Sequence, residues 1–195
     1  MITKDHLNRA GWLSIANALF TIPAIVFSFF LGSMEGTGVT LAQTILIFAS
    51  LGLFVYILSS LKQLLNLRFQ FHDADLCISY LLWGNLSLSL FQFLALLNKE
   101  FESAVGILSV MAYIFFGILS IMFATRLQRL PDSLYGLLNP YCKITLVSGV
   151  CFITVLLLPV GILAGAVTDV LLGIIFFRAA EHHPSTQEIL GTPHE

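Results

Sequence analysis

Long apolar segments separated by short polar ones run along the chain. Six can be drawn, at approximately 11–32, 40–61, 76–97, 104–125, 141–158 and 161–177. A membrane-crossing helix needs about 20 apolar residues, and a helix surrounded by lipid carries them around its full circumference. The pattern therefore predicts an all-α integral membrane protein, a six-transmembrane-helix bundle made of three helical hairpins.

The last two segments are separated by a short break. Between Lys143 and Arg178 lie 34 residues in which Asp169 is the only side chain that is charged at neutral pH. This run is too long for one crossing of about 20 residues. Pro159 and Gly161 lie near its middle, so we expect two short helices folded back on each other, with an acid buried in the second.

Composition supports a membrane protein and argues against a nucleic-acid partner. Of the 195 residues, 57% are hydrophobic and only 10% are charged, whereas a soluble domain carries about 25% charged residues. These charges are too few to cover a water-facing surface, so the expected surroundings are a lipid bilayer. The nine Lys and Arg residues are scattered and do not form the basic surface that nucleic-acid binding needs.

The distribution of basic residues predicts the orientation. Eight of the nine lie on one side of the predicted bundle, and only Lys99 lies on the other. Because basic residues accumulate on the cytoplasmic side of membrane proteins, both termini are expected to be cytoplasmic. We expect a single transmembrane domain over residues 1–178, a flexible polar tail over 179–195, and a bacterial inner membrane as the location.

Two of the predicted cytoplasmic loops, 62–75 and 126–138, mix leucine and phenylalanine with polar residues. Segments of this kind can lie in the lipid headgroup region. They can equally extend the neighbouring helices and pack on one another, and the sequence leaves both interpretations open.

Polar side chains inside the predicted spans are the candidate site. An acid near the bilayer centre costs about 2.5–3.5 kcal/mol on insertion scales, so an intramembrane acid indicates function by default. Asp169, Asn17 and Asn85 each lie about 12–15 Å from the charged end of their span, at 1.5 Å per residue. We expect them to converge in a polar layer that binds a cation, a proton or a solute hydrogen-bond donor, with Thr168 and Gln92 joining or flanking it.

The alternative for these residues is a purely structural role. Asn, Thr and acidic side chains in spans commonly hydrogen-bond to neighbouring helices, and each such bond contributes about 0.6 kcal/mol. The sequence offers no basic residue within the spans that would neutralise Asp169 as a simple ion pair. This absence favours a ligand or ion site slightly.

Small residues mark the expected helix-packing surfaces. Ala10, Ser14 and Ala18 recur every four residues in the first span, and Gly161 and Gly165 repeat that spacing in the sixth. Such spacing lets two backbones approach closely, and we expect packing within the chain. In size, in its six spans, in its cytoplasmic termini and in the small-residue patch of the first span, the chain resembles in architecture the vitamin-binding subunits of energy-coupling uptake systems.

Histidines and acids at the predicted cytoplasmic face suggest another chemistry. His72, Asp73 and Asp75 precede the third span, and His182 and His183 follow the sixth. Imidazole and carboxylate groups at a membrane face would suit a lipid-modifying enzyme. No Cys-x-x-Cys or His-Glu-x-x-His motif occurs, and no span contains a histidine. The sequence therefore predicts no metal, no cofactor and no catalytic residue.

Two main functions stay open. The first is a solute- or ion-binding transport component built around Asp169. The second is a non-catalytic integral subunit that anchors or assembles a larger membrane complex, with partner subunits or copies of itself. The near-absence of soluble mass supports the second. The lipid-modifying enzyme is a weaker third interpretation.

Overall fold

Six helices account for most of the residues that the structure describes. The computed structural model describes residues 3–32, 36–98, 101–131 and 133–182. The helices are α1 (Lys4–Gly32), α2 (Thr37–Arg68), α3 (Asp75–Leu97), α4 (Glu102–Leu127), α5 (Leu138–Ile153) and α6 (Leu158–Glu181). Five are long and apolar enough to cross a membrane, and α5 is a shorter apolar helix of 16 residues. The prediction of an all-helical integral membrane protein is confirmed.

The turn between α5 and α6 comes earlier in the chain than the sequence predicts. α5 ends at Ile153 rather than at residue 158, and α6 begins at Leu158 rather than at residue 161. The chain leaves the helix because Val155 takes a left-handed backbone conformation, with φ at 54°. Pro159 then falls in the first turn of α6, where the missing N–H group leaves no hydrogen bond unmade.

The six helices form a closed ring in chain order. Each helix packs against the next one, and α6 returns to pack against α1. Within the described residues, no other pair of helices brings its backbones this close together, although the end of α2 reaches the end of α6 through one arginine side chain. The three hairpins therefore lie side by side around a ring, and α3 lies across the ring from α6.

Each helix presents one face to lipid and another to the inside of the ring. In α3 the outer face carries Tyr80 and Trp83, the latter 68% exposed, and the inner face carries the buried Ile78 and Leu81. Within each pair the two residues are three apart, so they lie on the same face of the helix. The helix is therefore covered on one side only. The same division in α1 and α6 decides where the polar residues of the site lie.

The apolar core lies at one end of the ring. We call this the basic end, because the described residues that mark it include Arg9, Lys62, Arg68, Arg126 and Arg178. The main cluster of buried side chains comes from the helix ends and loops near these residues. At the opposite end, none of the described residues 36–50 or 103–116 is fully buried. The described residues at the basic end are thus more completely buried than those of α2 and α4 at the opposite end.

The two loops at the basic end are part of that core. α2 continues to Arg68, beyond the predicted span end at residue 61, and buries Leu64 and Leu65. In the loop after α4, Leu130 and Leu134 are buried as well. These leucines pack inside the protein, which is the second of the two interpretations that the sequence left open.

Arg68 ties the end of α2 to the end of α6. Its guanidinium donates hydrogen bonds to the carbonyl oxygens of Ala179 and His182, each at 2.7 Å. These carbonyls belong to the last turn of α6, where they have no partner within the helix. A cation is also favourable at this position because of the helix dipole.

Substitution Arg68→Ala should therefore destabilise the last turn of α6. A hydrogen bond to a charged group contributes about 1.5–3 kcal/mol. Because one of the two bonds is only partly buried and the other is exposed to solvent, which screens the charge, we expect a total loss of about 2 kcal/mol in the free energy of unfolding. Hydrogen exchange of the amides around residues 178–182 should accelerate. Arg68→Lys keeps the charge but not the two-pronged geometry, so it should lie between the two. Unchanged exchange in Arg68→Ala would contradict this role.

Candidate functional site

A hydrogen bond between α1 and α6 lies near the middle of both helices. The side-chain amide of Asn17 donates to the carboxylate of Asp169, with 2.7 Å between Nδ2 and Oδ2. Both side chains are partly buried. The structure therefore brings together two of the three residues that the sequence places at one depth.

Glycines allow these short side chains to meet. A Cβ atom added to Gly173, one turn from Asp169, would lie only 3.0 Å from the backbone oxygen of Gly11 and 2.8 Å from Cγ1 of Ile15. Real Cβ atoms rarely approach a neighbour so closely, so the two backbones are nearly in contact here. Asn and Asp side chains are short, and only such a close crossing lets them bond directly across the interface.

The position of Asp169 on α6 follows from a four-residue repeat. Gly161, Gly165, Asp169 and Gly173 succeed one another at this spacing, and each step turns by about 40° around a helix of 3.6 residues per turn. Gly161 and Gly165 face α5, where their nearest neighbours are Cys151 and Ser148, whereas Gly173 faces α1.

Asp169 lies between the side of α6 that faces α5, marked by Gly161 and Gly165, and the side that faces α1, marked by Gly173. The exposed residues of α6, Leu163, Val167 and Val170, lie on the opposite side of the helix. Asp169 therefore faces the inside of the ring, beside α1, and does not face lipid.

Two threonine hydroxyl groups close in sequence to the pair do not donate to the carboxylate. Thr21, one turn beyond Asn17, donates its hydroxyl hydrogen to the Asn17 carbonyl oxygen at 2.8 Å. Thr168 donates to the carbonyl oxygen of Ala164 at 2.9 Å. Both oxygens keep their lone pairs and have no hydrogen left to give. Neither threonine therefore stabilises the carboxylate by donating a hydrogen bond to it.

The polar residues of α3 lie across the ring from this pair. Asn85 comes four residues after Leu81 and four before Ser89, both of which are buried, and Gln92 follows Ser89 by three. Asn85 and Gln92 therefore lie on the inner face of α3. Since α3 packs against neither α1 nor α6 within the described residues, the expected three-way contact is not formed: Asn85 does not contact the pair.

The small residues of the first span are buried. Ala10 and Ser14 are fully buried and Ala18 nearly so. Ser14 is also notable because its hydroxyl has no hydrogen-bond partner within the described part of the chain. It lies three residues before Asn17, on the same side of α1, so the inner face of this helix carries one unsatisfied donor next to the pair.

The histidine and acid cluster at the basic end has a structural arrangement. The amide of Asn66 donates to both carboxylate oxygens of Asp75 at 3.0 Å, and Nδ1 of His72 lies 3.3 Å from one of them. This joins the end of α2 to the start of α3. No group of three or more histidine, cysteine or acidic side chains suited to a metal occurs in the described ranges. His183 lies outside them.

Comparison with known proteins adds no assignment. The chain matches no protein-family model, no curated protein and no solved structure. The architecture and the contacts of the described residues are therefore the basis for a function.

Sequence reasoning missed the tightest helix contacts. A Cβ atom added to Gly117 would lie 2.6 Å from the backbone oxygen of Gly149, and one added to Gly149 would lie 2.8 Å from that of Gly117. α4 and α5 thus cross backbone to backbone, as α1 and α6 do at Gly11 and Gly173. Neither Gly117 nor Gly149 belongs to a four-residue glycine repeat, so no local spacing marks them.

Proposed function

We propose that the protein is a solute- or ion-binding component of membrane transport, in which Asp169 binds a cationic ligand and Asn17 orients its carboxylate. The proposal depends on one observation. The Asp169 carboxylate lies near the middle of a membrane helix, and it accepts a side-chain hydrogen bond from the neutral amide of Asn17. No Lys, Arg or His lies within 4.0 Å of it among the described residues.

Magnitudes favour binding over a purely structural role. An acid near the bilayer centre costs about 2.5–3.5 kcal/mol, whereas a hydrogen bond between membrane helices contributes about 0.6 kcal/mol. A second asparagine at position 169 could form the same kind of bond to Asn17 without the charge. Helix packing alone therefore does not require a negative charge at position 169. A bound cation would offset the free-energy cost of placing that charge in the membrane.

The lower burial of α2 and α4 at the end opposite the basic end suggests how a ligand reaches the site. The basic end contains the main cluster of buried apolar side chains, and at the opposite end the described inner positions of α2 and α4 are not fully buried. On this proposal the ligand enters from the opposite end and lies between Asp169 and the inner face of α3, which offers Asn85 and Gln92. Charge asymmetry makes the basic end cytoplasmic, and we place the protein in a bacterial inner membrane.

Thermal unfolding of the purified protein against a panel of cations tests this proposal. Sodium, potassium, protons over a pH series, and small organic ammonium ions are added to the wild type and to Asp169→Asn. A ligand that binds the folded state raises the midpoint, and the stabilisation grows with the logarithm of one plus the ratio of its concentration to its Kd. We expect at least one cation to raise the wild-type midpoint and to leave that of Asp169→Asn unchanged. Equal shifts of the midpoint in the wild type and in Asp169→Asn would contradict the proposal.

A further inference from the structure

Two arginines meet at Tyr135, in the loop between α4 and α5. The guanidinium carbon of Arg68 lies 5.4 Å from the centre of the Tyr135 ring, and Nη1 of Arg178 donates to the Tyr135 carbonyl oxygen. The ring of His182 lies against the same tyrosine, with 5.2 Å between centroids. One residue of the loop thus holds two positive charges close together at the basic end.

Among the described residues, no acid neutralises either arginine. All their hydrogen bonds within the described part of the chain go to backbone carbonyl oxygens, and no carboxylate there lies within 4.0 Å of either guanidinium. An arginine has five N–H donors. Within the described residues, the Arg178 guanidinium uses one of them, in its hydrogen bond to the Tyr135 carbonyl oxygen. The pair therefore keeps both its charge and donors for an anion.

A cavity lies beside Arg178. Its volume is 360 Å³, and it is lined by Gln128, Ser133, Gly136, Leu138 and Asn139. Gly136 connects the two features, because Nη1 of Arg178 lies 4.0 Å from the position of its absent Cβ atom.

The lining of this cavity suits an anion. Two of its residues, Leu138 and Asn139, open α5, so the cavity lies at the positive end of that helix dipole. Asn139, Gln128 and Ser133 add neutral side chains that can donate hydrogen bonds.

We infer that this cavity, with Arg178 beside it and Arg68 on the other side of Tyr135, is a binding site for a phosphate group. The planar fork of arginine matches two phosphate oxygens, and the site lies at the end of the bundle that meets the lipid headgroups. The phosphate belongs either to an anionic lipid or to a free phosphate ion, two sources that share this chemistry. The inference does not depend on Asp169.

Thermal unfolding in a neutral detergent tests the site and separates the two sources. The probes are phosphatidylglycerol, phosphatidylcholine as the zwitterionic control, and inorganic phosphate against chloride at equal ionic strength. The variant Arg178→Gln removes the charge and keeps a side-chain amide. The matched control is Arg126→Gln, because Arg126 also donates to a loop carbonyl, that of Asp73, at the same end.

A second variant protects the test against misfolding. Asn139→Asp leaves both arginines in place and puts a negative charge into the cavity, and an acid is favourable in the first turn of a helix. We expect phosphatidylglycerol to raise the midpoint of the wild type and of Arg126→Gln. In Arg178→Gln and Asn139→Asp the affinity should fall at least about tenfold, since a charge-assisted hydrogen bond is lost or opposed.

The outcomes separate cleanly. Stabilisation by phosphatidylglycerol alone identifies a lipid headgroup, and stabilisation by inorganic phosphate as well identifies the free ion as sufficient. If Arg178→Gln and Asn139→Asp respond to both probes as the wild type does, or if Arg126→Gln loses the response equally, the inference is overturned.

Discussion

Substitution Gly117→Ala is expected to lower the free energy of unfolding by about 1–3 kcal/mol, the usual cost of overpacking a well-packed contact. The added methyl group would lie 2.6 Å from the backbone oxygen of Gly149 and 3.0 Å from the backbone nitrogen of Ile153. Because both neighbours are backbone atoms, the clash cannot be relieved by rotating a side chain. The two helices must move apart, which also weakens the contact that joins the second hairpin to the third.

The chain offers a matched control in the same helix. Gly106 also lies in α4, and a Cβ atom added there meets nothing within 4 Å. Gly106→Ala should be neutral or stabilising by up to about 1 kcal/mol, because alanine is the better helix former. Chemical unfolding in mixed micelles measures both variants. A Gly117→Ala protein as stable as Gly106→Ala would show that α4 and α5 do not cross as described.

Exchanging Asn17 and Asp169 should restore the cation affinity that the single substitution Asp169→Asn removes. Asp169→Asn alone is expected to lower cation affinity at least about tenfold, since an interaction with a charged group contributes about 1.5–3 kcal/mol. The double variant Asn17→Asp with Asp169→Asn returns one carboxylate and one amide to the same 2.7 Å contact. It should recover most of the affinity.

Folding is the control for this exchange. Asp169→Asn keeps a hydrogen-bonding side chain opposite Asn17, so its unfolding midpoint without ligand should stay near that of the wild type. Asp169→Leu removes the bond and serves as the structural comparison. If the double variant binds no better than Asp169→Asn while both are folded, cation binding does not depend on a carboxylate at the contact between Asn17 and Asp169.

The membrane character and the depth of the polar residues could be read from the sequence. Runs of apolar residues determine where helices form, and counting 1.5 Å per residue places Asn17 and Asp169 at one level. What the sequence could not show is the order of helices around the ring. Asn85 has the same depth, but α3 lies opposite α6, and depth alone cannot distinguish a neighbour from a residue across the ring.

The glycine crossings show a second limit. Gly161 and Gly165 could be identified because they share one helix and a four-residue spacing. Gly117 and Gly149 lie on different helices, and their contact is a property of the pair that neither local sequence displays. The sequence pattern predicts the end of α5 at residue 158, five residues later than its actual end at Ile153, for a related reason. Pro159 marks the break in the sequence, but the turn is made before it, where Val155 has a positive φ.

Cation-jump currents from proteoliposomes on a solid-supported membrane test the central claim most directly. Sodium, potassium and proton jumps are applied to wild type, Asp169→Asn and Arg126→Gln, the last as a charge-removing control away from the pair. The account predicts a transient current for at least one cation in the wild type and in Arg126→Gln, and none in Asp169→Asn. A current of equal size in Asp169→Asn, or no current for any of these cations in the wild type, would contradict a cation-binding role for Asp169.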